Sequence, residues 1–133
     1  MNTDLSWVLN DVLEVRGARH GILVSGDGLL LHRSHDISRD DAETNAAAMS
    51  SMQSLSRAVA GFSGGGQGFW KQTLLEYDDG WIFLIAAGQG SYLAVSAALD
   101  VDMEAMSFRM QKTVTALSKA MSVAPRTGHG VNV

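Results

Sequence analysis

The stretch SRDDAETNAAAMSSMQSLSRAVAG, residues 38–61, carries every feature of one complete helix. Ser38 belongs to the residue types that cap helix N-termini, and Asp40 and Asp41 fall in the first turn, where negative charge is stabilising. Gly61 is suited to end the helix. The sequence therefore predicts a single long helix over residues 38–61, and the other elements are placed relative to it.

Two faces of this helix lack charge, because only Glu43 and Arg57 are charged between residues 42 and 60. At helical spacing, one apolar stripe is formed by Ala48, Met49, Met52, Leu55 and Val59. A second stripe of small residues is formed by Ala47, Ser50, Ser51, Ser54 and Ala58. We predict that the first stripe packs on the core and that the second meets another protein surface. A stable Ala-rich helix with a merely polar outer face is the alternative.

Length and charge restrict the class of protein. The chain has 133 residues, a formal net charge of −4 and no Lys/Arg cluster, which argues against nucleic acid or anionic lipid as a partner. It has no cysteine, so disulfides and thiolate metal sites are excluded. No apolar run is long enough for a membrane span, and the start does not resemble a signal peptide. We expect a cytoplasmic protein, not inserted in a membrane, with one domain over residues 1–124 and a flexible tail over 125–133.

The remaining pattern predicts an α/β fold with the element order α-β-β-α-β-β-β-α. An amphipathic helix over residues 4–16, capped by Thr3 or Asp4, precedes two strands joined by a tight turn at Asp27 and Gly28. Three further strands are expected over residues 69–77, 81–87 and 91–98, the first of them at a sheet edge. A final helix opens at Asp100 or Asp102 and ends at Pro125. Its core stripe is Met103, Met106, Met110, Val114, Leu117 and Met121. We expect a five-stranded, mostly antiparallel sheet with helices on both faces.

No group of residues predicts catalysis or a cofactor. The four histidines lack the spacing of metal ligands on one helix. The glycines of residues 61–68 follow a helix and precede a strand, the reverse of the order in phosphate-binding loops. Ser25 lies in a turn between strands, unlike the nucleophile of a strand-to-helix elbow. We therefore expect neither an enzyme nor a bound metal or cofactor.

The segments HGILVSGDGLLL (residues 20–31), the helix of residues 38–61 and KQTLLEYDDGWIFLIAAGQGSYLAVSA (residues 71–97) together resemble the Roadblock/LC7 family. The resemblance runs from about residue 5 to 122 and is strongest to single-domain members found beside Ras-like GTPases in actinobacteria. It implies a profilin-like fold and a homodimer joined through the central helix and the strand that follows it. The interface residues that this implies are Ala47, Ser50, Ser51, Ser54, Ala58, Trp70, Gln72, Thr73 and Leu74.

The same resemblance implies a non-enzymatic regulator or scaffold of a small Ras-like GTPase. The family context adds a sensor-kinase-like membrane protein as a further partner, through which the chain would reach the membrane. Trp7 and Phe108 lie off the apolar stripes of their helices and are candidate partner contacts. A small-ligand-sensing α/β domain, with a pocket between the sheet and a helix, is the alternative function.

Overall fold

The computed structural model describes residues 5–64 and 69–129 of the chain. Helices and strands alternate in the predicted order: α1 (Ser6–Val12), β1 (Ala18–Ser25), β2 (Leu30–Arg33), α2 (Arg39–Ala58), a 3₁₀ helix (Ala60–Ser63), β3 (Gln72–Tyr77), β4 (Gly80–Gly88), β5 (Ser91–Ala98) and α3 (Met103–His129). The predicted caps of α1, Thr3 and Asp4, lie outside the described residues. This element order confirms the predicted α/β fold.

The five strands form one antiparallel sheet in the order β2-β1-β5-β4-β3. The β1–β2 hairpin turns through Gly28 at φ +94°, a backbone conformation that glycine adopts without strain. The apolar strands β4 and β5 lie inside the sheet, and β3 lies at its edge, both as predicted. β3 begins at Gln72, so the first three residues of the predicted strand precede it.

Helices cover both faces of the sheet, so the core has two halves. On one face, α1 and α3 pack against Leu23, Phe83 and Leu93, with Met106, Met110 and Leu117 of α3 fully or almost fully buried. On the other face, α2 packs against Ile22, Leu84 and Tyr92. The Met-bearing stripe of α3 is therefore core, as predicted. The helix is capped at Asp102, whose Oδ1 accepts from the backbone N–H of Ala105 at 3.1 Å.

α2 is capped by the predicted residue, but the face that it turns toward the sheet differs from the predicted one. Ser38 Oγ accepts from the backbone N–H of Asp41 at 3.1 Å. The buried residues of the helix are Ala42, Ala46, Met49 and Gln53. Ala48, Leu55 and Val59, which we expected in the core, are exposed, and Met52 is half-buried. Alanines let the helix axis approach the sheet closely, and that approach outweighs the burial that the larger Leu55 and Val59 would gain.

Three predicted helix ends are wrong. α1 ends at Val12 and not at residue 16. α2 ends at Ala58, and Gly61 lies within the following 3₁₀ helix, with Gly64 taking the left-handed conformation at φ +107°. α3 continues through Pro125 to His129. A proline inside a helix lacks one backbone donor and crowds the carbonyl four residues before it, which favours a helix end, but here the helical backbone continues on both sides of it. The flexible tail predicted from residue 125 thus begins in helix, and residues 130–133 lie outside the described part.

Candidate interaction surface

The exposed side of α2 is unusually apolar for a surface helix. We call it the α2 outer face, and it comprises Ala47, Ala48, Ser51, Ser54, Leu55, Ala58 and Val59, continued by Phe62 of the 3₁₀ helix. Leu55 is 67% exposed and Phe62 is 96% exposed. Contiguous exposed apolar side chains of this kind are typical of protein-interaction sites. The small residues predicted to meet a second surface lie on this face, with one exception: Ser50 is half-buried and donates to the carbonyl of Gly26 at 2.8 Å.

The edge strand β3 borders the same helix. Ser56 Oγ of α2 and Thr73 Oγ1 of β3 are 2.6 Å apart, which joins the two elements. Within the described chain β3 pairs with β4 alone, so its outer side offers unpaired backbone donors and acceptors. The helix and the strand therefore present apolar side chains and free backbone groups next to each other.

The four interface residues predicted near β3 do not share one face. Thr73 and Trp70 are half-buried on the α2 side, where Trp70 Nε1 donates to Thr73 Oγ1 at 2.8 Å. Trp70 also packs edge-on against Tyr92, with ring centroids 5.6 Å apart. Gln72 and Leu74 are exposed and, by strand alternation, point to the opposite side of the sheet. Thr73 and Trp70 therefore pack between β3 and α2. Gln72 and Leu74 are exposed and can contact another protein.

Arg57 is held in place by neutral groups at the junction of α2 and the sheet. Its Nε donates to Gln53 Oε1 at 2.7 Å and its NH2 group donates to the Tyr92 hydroxyl at 3.0 Å. The guanidinium also lies 5.7 Å from the ring centroid of Trp70 and 5.8 Å from that of Tyr92. Sequence reasoning did not single out this arginine, although the i, i+4 spacing of Gln53 and Arg57 is a usable signal.

Replacing Arg57 with alanine is expected to lower the free energy of unfolding by about 1–3 kcal/mol, because the buried Gln53 and Tyr92 lose hydrogen-bond partners. Arg39→Ala is the matched control, since Arg39 is on the same helix in an exposed pair with Glu43 at 3.2 Å. We expect that control to cost less than about 1 kcal/mol. Urea unfolding of both variants measures the difference, and equal small losses would contradict a structural role for Arg57.

Trp7 and Phe108, the predicted partner contacts, lie in the α1/α3 layer, on the other side of the sheet from α2. Trp7 is 63% exposed and Phe108 is 66% exposed. Lys112 Nζ lies 5.6 Å from the Phe108 ring centroid. Nearby, Arg109 of α3 pairs with the carboxylate of Asp11 on α1 at 3.2 Å and so ties the two helices together. The α1/α3 layer therefore presents two exposed aromatic side chains, on the opposite side of the sheet from the α2 outer face.

The described residues contain no group of three or more His, Asp or Glu side chains placed to bind a metal ion. In the same ranges, none of the helices combines the length and hydropathy needed to cross a bilayer.

Comparison with known families agrees with this fold. The profile of the Roadblock/LC7 domain matches residues 6–97, well over half of the chain. The chain belongs to the Roadblock/LC7 family. Its profile match spans every element from α1 to β5, including the α2 outer face and β3.

Solved structures extend the comparison. A Roadblock/LC7 domain from Streptomyces avermitilis superposes with a TM-score of 0.84 at 29% identity, covering 91% of this chain and 100% of that one. MglB from Myxococcus xanthus gives a TM-score of 0.79 at 15% identity, with 89% and 94% of the chains covered. The gliding protein MglB from Thermus thermophilus gives 0.75 at 16%, with 86% of each chain covered. At such identities the two MglB likenesses concern the fold alone. A comparison with curated proteins finds no match.

Proposed function

We propose that this Roadblock/LC7 domain is a homodimeric, non-enzymatic regulator or adaptor of a small Ras-like GTPase. Family membership supports the class of function. The observation that carries the proposal is the α2 outer face, where exposed apolar side chains adjoin an unpaired sheet edge. This surface has no feature of a catalytic site, which suits a protein that acts by binding other proteins.

The two parts of this surface support a homodimer. Pairing β3 with β3 of a second copy satisfies the free backbone groups and makes one sheet continuous across the dimer. The α2 outer faces of the two copies then pack on each other and bury Leu55, Val59 and their small neighbours. The absence of charge on this face agrees with such contact, since charged residues are depleted at interface centres.

The GTPase contact falls on a different surface in this proposal. When α2 and β3 are occupied by the second copy, the α1/α3 layer stays accessible on each protomer. Trp7 and Phe108 are exposed aromatic side chains, a residue class that is enriched at interfaces. The sequence singles out no catalytic group, so in this proposal any stimulation of hydrolysis comes from ordering the switch loops of the GTPase itself.

The cellular setting is part of the proposal. We place the dimer in the cytoplasm, where it scaffolds a complex of the GTPase and a sensor-kinase-like membrane protein. Recruitment to the membrane then depends on that partner.

The proposal predicts nucleotide-dependent co-elution of the purified chain with the small GTPase encoded beside its gene. The double variant Trp7→Ala/Phe108→Ala should lose this co-elution while it keeps the dimer mass. Leu31→Ala, on the other edge of the sheet, is the control and should bind as the unchanged protein does. Failure to bind in both the GDP and the GTP state would refute the GTPase role.

A hydrolysis assay on the same complex separates the two modes of action. A faster release of phosphate identifies an activator, whereas binding at an unchanged rate identifies a scaffold.

A further inference from the structure

A cavity of about 230 Å³ lies between α2 and the sheet, partly open to solvent. Its apolar walls are Ile22 and Ile82 of the sheet, Met49 of α2 and Ile37, which precedes that helix. It is separate from the α2 outer face, because it lies beneath the helix. The cavity is also separate from the edge of β3 and from the α1/α3 layer.

Small side chains on β5 create this space. Ala94 and Ser96 lie in the middle of the sheet on the α2 side, paired with Ile22 and His20 of β1. Ser96 is also paired with Ile82 of β4. A methyl group and a hydroxymethyl group stand where larger side chains would reach α2. Because protein interiors are normally close-packed, a gap of this size between two well-ordered layers is unusual.

The volume is sufficient for a small organic molecule. A protein cavity of about 150 Å³ with walls of Leu, Ile and Phe takes up benzene. At roughly 30 Å³ for each water-sized group, the present cavity has room for about seven or eight non-hydrogen atoms. The four large apolar side chains in the wall favour a hydrocarbon body for such a molecule.

The polar side chains that line the cavity are few. Ser96 Oγ is buried and, in the described part of the structure, has no hydrogen-bond partner. Rotation about χ1 moves such a hydroxyl between staggered positions, so a ligand oxygen in the cavity can become its partner. Asn45 also lines the wall, and its Nδ2 already donates to the carbonyl of Asp41 at 2.8 Å.

The one ionisable side chain in the wall is His20, and the carboxylate of Asp36 lies beside it. His20 Nδ1 lies 3.1 Å from Asp36 Oδ1. Partial burial raises the pKa of the Asp36 carboxyl, but the hydrogen bond and charge of His20 and a hydrogen bond from Ser34 outweigh it, so the pKa lies below its ordinary value. Asp36 is thus ionised near neutral pH and accepts the hydrogen bond from His20 Nδ1. An anionic ligand gains little from this pair, and a neutral one suits the site.

We propose that this cavity is a binding site for a small, neutral, mainly apolar molecule of about seven or eight non-hydrogen atoms with one hydroxyl or carbonyl group. The apolar body packs on the isoleucines and Met49, and the oxygen bonds to Ser96. This site is independent of the proposed GTPase role and of the dimer. Its position under α2 means that an occupant contacts the inner side of the helix that carries the candidate interaction surface.

The test uses 1-hexanol as the probe and the full chain labelled in its methyl groups. Titration followed by NMR should shift the methyl signals of Ile22, Ile82 and Met49 along one saturable curve. Signals of Val12 and Leu117, in the other half of the core, should stay in place. Shifts that rise linearly to the solubility limit of hexanol, or that spread equally over both halves, would overturn the proposal.

Variants of Ser96 locate the site. Ser96→Leu fills the cavity and should abolish the saturable shifts, and Ser96→Val is a smaller filling residue in case the leucine variant does not fold. Ser96→Ala keeps the space but removes the hydroxyl, so we expect hexanol to bind about two- to tenfold more weakly. Thr113→Val is the matched control, because Thr113 Oγ1 is also buried without a hydrogen-bond partner in the described residues but lies on α3. Equal hexanol affinity in the leucine variant and the unchanged protein would overturn the assignment.

Discussion

Leu55→Arg is expected to convert the proposed dimer into a monomer. Leu55 is 67% exposed on the α2 outer face, so the substitution leaves the fold of the single chain intact. In the dimer each copy would bury a guanidinium without a partner, at a cost of about 3–5 kcal/mol per unpaired charge. With two such charges in each dimer the cost is about 6–10 kcal/mol, which corresponds to a roughly 10⁴- to 10⁷-fold weaker dimer. Size-exclusion chromatography with light scattering measures the mass, and sedimentation equilibrium measures the dissociation constant.

Leu31→Arg is the control for this experiment. Leu31 is also exposed, at 42%, and lies on β2 at the opposite edge of the sheet. That variant should keep the mass of the dimer. A dimer that persists in Leu55→Arg, or one lost equally in both variants, would remove the α2 outer face from the interface.

Two further substitutions differ in their value as tests of the interface. Ser54→Arg adds bulk and charge to a small exposed residue of the same face, and so should act as Leu55→Arg does. Thr73→Pro removes a backbone donor from the edge strand, but it also removes the hydroxyl that bonds Ser56 and Trp70. Because that variant damages the single chain, a loss of dimer in it does not by itself identify the interface.

The sequence predicted the elements well where one class of residue dominates a segment. β5 has the expected bounds, because its run of aliphatic and small residues begins after a glycine turn and ends shortly before Asp100. β3 was expected at an edge because its two faces are mixed, and it is there. The Ser38 cap needs only local residues, so it too was predictable.

The orientation of α2 could not be predicted in the same way. Hydrophobicity alone favours burying Leu55 and Val59, yet the sheet accepts Ala42 and Ala46, with Gln53 held by Arg57. The choice depends on how close the helix can approach β1 and β5, which is a property of the pair of layers. The cavity beside Ser96 escapes sequence analysis for the same reason, since it arises where side chains of three strands and one helix fail to fill a common space.

Gly88→Ala is expected to lower the free energy of unfolding by about 2–5 kcal/mol. Gly88 has φ +87°, where a side chain is strained, and an added Cβ would lie 2.9 Å from Ser118 Oγ and 3.3 Å from Ser118 Cβ on α3. The substitution therefore combines backbone strain with a collision between the β4–β5 turn and the long helix. The midpoint of urea unfolding at fixed protein concentration measures the loss.

Gly90 in the same turn separates these two contributions. It has φ +71°, but an added Cβ would meet nothing within 4 Å, so Gly90→Ala should show the backbone strain alone, about 1–2 kcal/mol. Ser118→Gly combined with Gly88→Ala removes the collision and should bring the loss at position 88 down to that level, once the cost of Ser118→Gly alone is subtracted. If Gly88→Ala and Gly90→Ala lower the free energy of unfolding equally, the packing of α3 on the sheet does not require a glycine at position 88. A larger loss that the Ser118 substitution reverses shows that this glycine sets how closely the helix packs on the sheet.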